Sequence, residues 1–326
     1  MLSIDERRIQ LYNSKKTKEL LMNNPKKLMC EIAVLYYQKK YTQQEIAAML
    51  NLSRQTVSKF INDAINEKVV EIVIHDPEED CGKLEKAIRE KFGIKDAVVC
   101  SVVSKEESVR QLIAVRRGIK YLAPILKKGN QKIAVSWGRT VQQFIEELEP
   151  MDSENNLVFP LFGATDNVQS CFSSNELART LADKISADVK NAWFPYLPHN
   201  KEDTVLFKNT EYYRSMARLW QEIDLAIIGI GNTAVLELFK QTFPCEQSGD
   251  FAVGDVATHF FTSEGETVPL YDDSLCASLE NLKNAKKTVA IACGDCKAIA
   301  IQGALKTKAI DVLITDEYTA KKVLAI

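Results

Sequence analysis

The sequence lacks an apolar stretch long enough to cross a membrane as a helix. Its longest uncharged apolar runs, such as residues 225–235, are far shorter than the roughly 20 residues that a membrane-spanning helix needs. The first ten residues already contain acidic and basic side chains, which is not the pattern of a signal peptide. We therefore expect no membrane partner and no secretion, and we predict a cytoplasmic location.

The cysteines do not have the arrangement of a disulfide framework. The chain has 8 of them scattered over 326 residues. Small secreted domains that depend on disulfides have a far higher density of cysteine. This pattern favours free thiols and a reducing compartment.

The sequence also lacks a strong net charge, but its charge is unevenly distributed. Residues 1–75 hold 12 Lys and Arg against 8 Asp and Glu, a net charge of +4. The remaining residues hold 30 against 36, a net charge of −6. The positive excess in the first quarter weakly indicates an anionic partner there.

Residues 43–67 have the spacing of a helix-turn-helix. A capping-box pattern at Thr42 begins one helix, and Ser53 caps the next. Ala47 supplies the small residue over which the second of these helices crosses. Asn51 stands where the turn needs a positive φ angle, and Val57 is placed to fill the contact between the helices.

The start of the second of these helices has a polar face that suits a DNA major groove. Arg, Gln and Thr can read base edges there, and Lys can contact phosphates. The alternative is a three-helix bundle whose polar face has no partner. The predicted DNA-binding residues are Ser53, Arg54, Gln55, Thr56, Ser58 and Lys59.

After residue 83, apolar runs typical of buried strands alternate with helical patterns. This alternation predicts an α/β fold with a Rossmann-like, doubly wound parallel sheet. Ligands of such sheets bind beyond the carboxyl ends of the strands. The predicted strands are 97–103, 132–136, 157–162, 224–229, 288–292 and 311–315, and the predicted helices are 109–126, 140–148, 175–186, 295–305 and 317–324.

The domain boundary is predicted at residues 76–82, a charged segment that contains Pro and Gly. We predict a helix-turn-helix domain over residues 1–75, in which residues 1–24 form an extra helix or a disordered segment. The alternating residues 69–75 predict a short strand at its end. A second domain is predicted over residues 83–326.

Four loops that follow predicted strands have residues suited to a phosphate-bearing ligand. Glycine allows close approach of the backbone, amides at a helix start favour anions, and Arg139 and Lys297 add positive charge. The run GIGNTA lacks the third glycine of a dinucleotide fingerprint. The loops are SWGRT at 136–140, FGAT at 162–165, GIGNT at 229–233 and CGDCK at 293–297.

Cys293 and Cys296 form a CxxC pair at a predicted strand-to-helix turn. Such pairs occur in thioredoxin-like redox sites and in half of a zinc site. No second CxxC or histidine pair completes a zinc site, and the strand pattern does not suit a thioredoxin domain. We favour two small turn residues, with a redox role left open, and predict no metal and no cofactor.

These stretches together resemble the SorC family of bacterial sugar-responsive transcriptional regulators. The resemblance begins at about residue 27 and covers nearly all of the remaining chain. Besides the helix-turn-helix, it rests on VSWGRT at 135–140, NELARTL at 175–181, DLAIIGIG at 224–231, GDVATHFF at 254–261, CGDCKAI at 293–299 and VLITDEYTA at 312–320.

The resemblance implies a sugar-phosphate-binding effector domain that controls an operator-binding domain. It implies the fold of glucosamine-6-phosphate deaminase and ribose-5-phosphate isomerase without their activity, and a homo-oligomer, dimer or tetramer, that binds palindromic operators. Asp255 is implied to accept hydrogen bonds from sugar hydroxyls, and Gly231 to lie in a ligand loop. The phosphate side is implied to include Ser136, Gly138, Arg139, Thr140, Gly163 and Lys297.

The sequence departs from the family pattern at two places. Some relatives have a basic residue and two glycines where this chain has Phe162, Gly163 and Ala164, so no lysine is present there for a Schiff base. Thr258 and His259 are bulkier than expected beside the predicted sugar-binding carboxylate. These departures indicate that the effector differs from those of the better-known members.

The main alternative is a sugar-phosphate isomerase or deaminase. Such chemistry needs a positioned acid and base, and the chain has only three histidines, His75, His199 and His259. Asp255 with His259 is the one plausible catalytic pair. A third possibility, a metabolite store or scaffold, leaves the helix-turn-helix unexplained. We predict no enzyme activity and no catalytic residues.

Overall fold

The computed structural model describes residues 24–72, 81–165, 173–234, 237 and 251–326. The chain divides into two compact units, Met1–Pro77 and Glu78–Ile326. Most of the predicted extra segment at the start of the chain, and residues 76–80 of the predicted linker, lie outside the described residues. Gly82, predicted to end the linker, is already the first residue of a helix.

The smaller unit consists of three helices around a small core, within its described residues. They are α1 (Pro25–Ala33), which continues as the π-helical segment Val34–Gln38, α2 (Gln43–Leu50) and α3 (Arg54–Asn66). Their core contains Leu28, Ile32, Ile46, Ala47, Val57 and Ile61. Ile65, which the helical pattern places inward, has 41% of its surface exposed, whereas its neighbour Ala64 is buried against Met29 and Ala33 of α1.

The turn between α2 and α3 has the conformation that the sequence predicts. Asn51 ends α2 with φ 52° and ψ 47°, the left-handed region. The side chains of Thr42 and Glu45 form a reciprocal capping box at the start of α2, and the Ser53 hydroxyl accepts a hydrogen bond from the Thr56 amide at 3.0 Å. These local interactions fix both helix starts and the reversal between them.

The predicted strand at residues 69–75 is wrong for its described part. Residues 69–72 form no strand, and residues 73–75 lie outside the described range. The amides of Val69 and Val70 both donate to the Ala64 carbonyl, at 2.8 and 2.9 Å, which folds the chain back onto the end of α3. The two valines pack against Met29, so their apolar character serves the helical core.

The larger unit contains a seven-stranded parallel sheet, in the order β1-β11-β10-β5-β2-β3-β4, and a four-stranded antiparallel sheet, in the order β6-β7-β8-β9, within its described residues. In chain order the strands are β1 (Asp96–Cys100), β2 (Lys132–Val135), β3 (Leu157–Pro160), β4 (Asp188–Val189), β5 (Leu225–Ile228), β6 (Gly231–Asn232), β7 (Gly254–Val256), β8 (His259–Phe261), β9 (Thr267–Val268), β10 (Lys287–Ile291) and β11 (Val312–Asp316).

Helices connect and cover the strands of the parallel sheet. They are α4 (Gly82–Phe92), α5 (Glu107–Leu126), α6 (Arg139–Glu147), α7 (Ser174–Lys184), α8 (Lys201–Lys208), α9 (Glu211–Trp220), α10 (Leu279–Asn284), α11 (Ala298–Lys306) and α12 (Glu317–Ala325), with a 3-10 turn at Asp295–Lys297. The predicted α/β fold with a parallel sheet is confirmed. The sequence patterns did not predict α4, α8, α9, α10, β4 or the antiparallel sheet. No helix of the described residues is long and apolar enough to span a bilayer.

The order in which the chain adds strands to the parallel sheet reverses between the neighbouring strands β2 and β5. From β2 the chain passes through α6 to β3 on one side, whereas from β5 it proceeds to β10 on the other. Right-handed crossovers therefore place α6 and α11 on opposite faces of the sheet. The loops after β2 and β5 diverge, and this is the point at which doubly wound sheets bind ligands.

Asn51 offers a test of the helix-turn-helix turn. A β-branched residue in the left-handed region costs roughly 1–2 kcal/mol. We expect Asn51→Val to lower the local free energy of opening of α2 and α3 by about 1 kcal/mol, whereas Asn51→Gly keeps it within about 0.5 kcal/mol of the wild type. Hydrogen exchange of peptides from residues 43–66 measures this, with Lys59→Ala as an exposed control. An equal loss in both Asn51 variants would contradict the assigned conformation.

Candidate functional site

The predicted DNA-binding residues lie together at the start of α3. The side chains of Arg54, Gln55 and Lys59 are exposed, while Ser58 is half-buried. Ser53 is also exposed, but its hydroxyl caps the helix and lies 2.7 Å from the hydroxyl of Thr56. Ser53 and Thr56 thus stabilise the helix start, and the three long side chains form the face that a DNA groove can reach.

A cavity of about 320 Å³ lies beyond the carboxyl ends of β2 and β5 in the larger unit. It occupies the crevice between β2 and β5, where the strand order of the parallel sheet reverses. Its lining combines a helix start, both loops at the reversal and the antiparallel sheet: Glu107, Gln111, Ser136, Trp137, Gly138, Arg139, Thr140, Gly229, Ile230, Gly231, Asn232, Ala234, Asp255, Ala257 and Lys297.

Ser136 joins the two strand ends at the floor of the cavity. Its amide donates to the Ile227 carbonyl at 3.0 Å, which extends the pairing of β2 with β5 by one residue. Its hydroxyl donates to the Trp137 carbonyl at 3.0 Å and accepts from the Gly229 amide at 3.2 Å. The hydroxyl therefore already holds the two loops at a fixed separation.

The start of α6 forms one wall of the cavity. Gly138 precedes the helix with φ 120°, a conformation that favours glycine, and within the described residues no side chain caps the first turn. Thr140 is buried and Arg139 is exposed. The uncapped amides carry a partial positive charge, so this wall attracts anions.

Lys297 enters the cavity from a turn that a buried ion network holds in place. Arg110, 3% exposed, donates to Asp295 at 2.9 Å and to the buried Asp316 at 3.4 Å. The turn begins at Gly294 with φ 128°, and a Cβ atom there would collide with the Glu107 carboxylate. Glu107 thus packs directly against the turn that carries Lys297.

Asp255 is a buried carboxylate at the opposite wall. Strand pairing sets it beside Gly231, and its Oδ2 accepts a hydrogen bond from the Thr258 amide at 3.1 Å. That amide belongs to a two-residue turn in which Ala257 and Thr258 both have positive φ, 45° and 73°. Burial raises the pKa of Asp255 to about 6, although the Thr258 hydrogen bond and the charges of Lys297 and His259 oppose this rise.

The predicted effector-binding residues gather around this cavity with one exception. Ser136, Gly138, Arg139, Thr140, Gly231, Asp255 and Lys297 line it. Among the described residues, Gly163 does not, because its backbone lies against the carbonyls of Phe194 and Pro195, which leave no room for a Cβ atom. Its neighbour Phe162 contacts Trp137 edge to face, with ring centres 4.6 Å apart. A role in effector binding stays a prediction for all eight.

Four polar or aromatic lining residues were not predicted: Glu107, Gln111, Trp137 and Asn232. Glu107 and Gln111 lie one turn apart at the start of α5, which the sequence pattern identified only as a helix. Trp137 and Asn232 lie inside loops that the sequence analysis identified. Each stands between small residues in its loop, and this position could have predicted that they line the cavity. Only the folded chain brings α5 to the ends of β2 and β5.

The two cysteines of the CxxC pair differ in their exposure to solvent. Cys296 is exposed and accepts a hydrogen bond from the Asn232 amide nitrogen at 3.5 Å, whereas Cys293 is buried. Burial and the charge of Asp316 raise the pKa of the Cys293 thiol to about 12. Such a thiol is a poor nucleophile. The described residues contain no cluster of three or more His, Cys, Asp or Glu side chains suited to a metal ion.

Two family models match the two units of the chain. A sugar-binding domain model matches residues 76–325, and a model of region 4 of sigma-70, a helix-turn-helix module, matches residues 31–67. The chain belongs to the SorC family of sugar-responsive transcriptional regulators. Transcription regulation, DNA binding and sugar binding are therefore the properties of its family.

The relatives of this SorC-family chain align over almost its full length. It is 28% identical to the sorbitol operon regulator of Klebsiella pneumoniae, covering 91% of this chain and 98% of that protein. It is 28% identical to the deoxyribonucleoside regulator of Bacillus subtilis, covering 90% and 96%. The crystal structure of the full-length Klebsiella pneumoniae SorC matches with a TM-score of 0.67 at 27% identity, over 91% of this chain and 98% of that chain.

The buried Asp255 predicts a measurable pH dependence of stability. Its pKa is about 6 when folded and 3.8 in the ordinary state, so ionisation destabilises the folded chain as pH rises through this window. Asp255→Asn removes the titration. We expect its stability relative to the wild type to be greater at about pH 7.5 than at about pH 4, by about 2 kcal/mol, because the unfolded carboxyl is already partly ionised at pH 4.

Urea unfolding of the larger unit at the two pH values measures this difference. Asp272→Asn, at an exposed position, is the control and should show a much smaller change. A difference between Asp255→Asn and wild type that is the same at both pH values would contradict a raised pKa for Asp255.

Proposed function

We propose that this regulator binds a phosphorylated sugar in the cavity between the β2 and β5 loops and that the sugar changes its affinity for operator DNA. The single observation that supports this is the composition of the cavity. One wall has a helix start, Arg139 and Lys297, and the other has a buried carboxylate, Asp255. A sugar phosphate has the matching pair of ends, a dianion and a set of hydroxyl groups.

The phosphate end of the ligand is proposed to contact the start of α6. The amides after Gly138 are uncapped within the described residues and point a partial positive charge outward. Arg139 is exposed there and can reach phosphate oxygens with two donors, while Lys297 supplies a point charge from the turn before α11. Because Ser136 holds the loops together, this anion site exists before the ligand arrives.

The hydroxyl end is proposed to contact Asp255, Asn232 and Gln111. An ionised carboxylate accepts hydrogen bonds only, so Asp255 suits hydroxyl donors, and the amides of Asn232 and Gln111 can both donate and accept. The Gln111 amide nitrogen already donates to Gln143 at 2.7 Å, which orients its oxygen as the remaining acceptor. Glu107 adds a second carboxylate to the lining of the cavity, next to the turn that carries Lys297.

A homo-oligomer that binds a two-fold symmetric operator is the proposed working form. Recognition helices of two subunits must then match half-sites separated by one turn of DNA or a multiple of it. A small rearrangement of the subunits on sugar binding moves these helices out of register. The coupling is reciprocal, because a sugar that weakens DNA binding must itself bind more weakly in the presence of DNA.

Catalysis of a sugar-phosphate reaction is the weaker alternative. Asp255 and His259 are the pair that the sequence suggests for it, but among the described residues only Asp255 lines the cavity. His259 lies in β8, and its Nε2 is 2.7 Å from the Ala277 carbonyl. We therefore propose that this chain carries no enzyme activity, and a turnover assay over a panel of sugar phosphates tests it.

Lys297 provides the test of effector chemistry. In thermal-shift screening, a ligand at 100 times its Kd stabilises a protein by about 2.7 kcal/mol. We expect at least one phosphorylated sugar to stabilise the wild type, its unphosphorylated form to have little effect, and Lys297→Met to weaken binding about 10- to 100-fold. Lys283→Met, an exposed lysine on α10, is the matched control. Equal stabilisation by the sugar without phosphate would contradict the proposal.

Arg54 and Lys59 separate base reading from phosphate contact. Duplexes selected from a random pool by the protein itself serve as the specific target. We expect Arg54→Ala to weaken binding to this target by about 1–3 kcal/mol, with much less effect on random DNA. Lys59→Ala should weaken both and reduce the salt dependence by about one ion. Equal losses on both DNAs would make Arg54 a phosphate contact.

The coupling between the two sites is measured with the same DNA. We expect a saturating sugar phosphate to change operator affinity by about 5- to 150-fold at fixed salt. The Lys297→Met variant should keep its operator affinity but lose this response. An operator affinity that no stabilising sugar phosphate changes would contradict the proposed control of DNA binding.

A further inference from the structure

Cys276 and His259 lie together next to the antiparallel sheet of the larger unit. Cys276 follows Leu275, whose amide donates to the Tyr196 carbonyl at 2.7 Å, and it forms a β-bridge with Phe162. His259 begins β8, and its Nε2 is 2.7 Å from the carbonyl of Ala277, the residue after Cys276. This hydrogen bond holds the imidazole ring next to the segment that carries the thiol, and the two side chains influence each other's pKa.

The sulfur atom of Cys276 has polar neighbours from three segments. The hydroxyl of Ser274 is 3.3 Å from it, and the His259 side chain is close enough to lower the pKa of the thiol. Thr258, in the turn before β8, is 3% exposed, and its hydroxyl lies near the sulfur. Within the described residues that buried hydroxyl has no hydrogen-bond partner at standard geometry, so it can donate to a new oxygen atom at the sulfur.

The electrostatics of the two side chains agree with each other. Burial by itself raises the pKa of the Cys276 thiol, but the hydrogen bond and charge of His259 outweigh it and lower the pKa below its usual value. Burial lowers the pKa of His259, and the contacts with Cys276, Ala277 and Asp255 raise it overall. Each partner stabilises the charged form of the other, as in a thiolate next to an imidazolium.

The other groups that face this pair come from separate elements. Asp255 on β7 contributes negative charge toward His259, and Lys297 faces Asp255 from its far side. Tyr196 and Tyr213 lie on the Cys276 side, and burial raises the pKa of both phenols, so they stay neutral near pH 7. His259 is therefore the cationic group beside the sulfur among the described residues.

Two buried cysteines of the same unit show what happens without such a histidine. Cys100 and Cys293 both lie near the carboxylate of Asp316. Burial and that negative charge raise the pKa of both thiols, that of Cys293 to about 12. They are protected from reaction at neutral pH, whereas the half-buried Cys276 combines partial access with a cationic partner.

We propose that Cys276 and His259 form a thiolate–imidazolium pair that makes Cys276 a site of modification by small hydroperoxides. The thiolate attacks one peroxide oxygen, a sulfur–oxygen bond forms and the oxygen–oxygen bond breaks. The departing oxygen takes the proton of the imidazolium, giving water or an alcohol. Sulfur is oxidised to sulfenic acid by two electrons, and the peroxide is reduced by the same two electrons.

The setting favours a peroxide over other electrophiles. Peroxide cleavage releases a basic oxygen, so a proton donor next to the thiolate accelerates it, and His259 is in that position. The Cys276 residue is only partly exposed, which favours small reagents over large ones. The hydroxyls of Thr258 and Ser274 can then hydrogen-bond to the oxygen on the sulfur.

The test is site-resolved oxidation of the reduced full-length protein. Hydrogen peroxide is added with dimedone, which traps sulfenic acid, and peptide mass spectrometry quantifies each cysteine. We expect Cys276 to be labelled at least about tenfold faster than the exposed Cys296, and its rate to stay nearly constant down to about pH 7, below the usual thiol pKa of about 8.5. Labelling no faster than at Cys296, or a rate that rises about tenfold per pH unit through neutrality, would overturn the proposal.

Two variants link the rate to the geometry. His259→Gln keeps a donor for the Ala277 carbonyl but cannot carry the charge, so we expect at least about tenfold slower labelling of Cys276 at neutral pH. Ser274→Ala removes one hydrogen bond to the sulfur and should slow labelling by a smaller factor. A folded His259→Gln variant with the wild-type rate and pH profile would disprove the pairing. If that variant does not fold, the wild-type pH profile decides.

Discussion

The reversal of strand order between the parallel strands β2 and β5 is the constraint on which the rest of the larger unit depends. Apart from the partly exposed Lys132 at the start of β2, both strands are buried, and they pair in parallel, so neither can shift without breaking the sheet. Right-handed connections then send the chain to opposite faces, and the loops that leave the two strands must separate. The cavity is the space between them. Ser136 sets its width, because its amide and hydroxyl bind the partner strand and its loop.

The residues around this cavity include a buried carboxylate and a strained turn, two features that the core of a stable protein avoids. Asp255 is a buried carboxylate whose ionisation costs stability, and the turn behind it places Ala257 and Thr258 at positive φ. Both features cost free energy in the absence of a ligand. Strained turns and buried charges of this kind concentrate at functional sites, where the surrounding packing compensates for them. The ion pairs of Arg110 with Asp295 and Asp316 likewise stabilise the turn that carries Lys297.

The β7–β8 turn lies between the proposed sugar site and the proposed oxidation site. On one side the Thr258 amide orients Asp255 toward the cavity, and on the other its hydroxyl lies in the Cys276 and His259 cluster. Asp255 and His259 also influence each other's pKa. A single two-residue turn therefore connects the proposed sugar site with the proposed oxidation site.

The sequence by itself determined the features that depend on neighbours close along the chain. The capping residues Thr42 and Ser53 and the turn residue Asn51 defined the helix-turn-helix, because caps and turns are formed within four or five residues. Unbroken apolar runs defined the parallel strands, since both faces of such a sheet are buried. The site loops after β2 and β5 and before α11 were predicted for the same reason, as glycines and basic residues directly follow the strands.

Only the tertiary structure decided what depends on residues distant in sequence. It brought Glu107 and Gln111 of α5 to the cavity and left Gly163 outside the residues that line it. It folded residues 69–70 onto the end of α3, although their pattern is that of a strand. It brought Cys276 near His259 of β8, in an antiparallel sheet whose strands are too short to give an alternating pattern. Packing and strand order set these outcomes, and neither is encoded in a local window of residues.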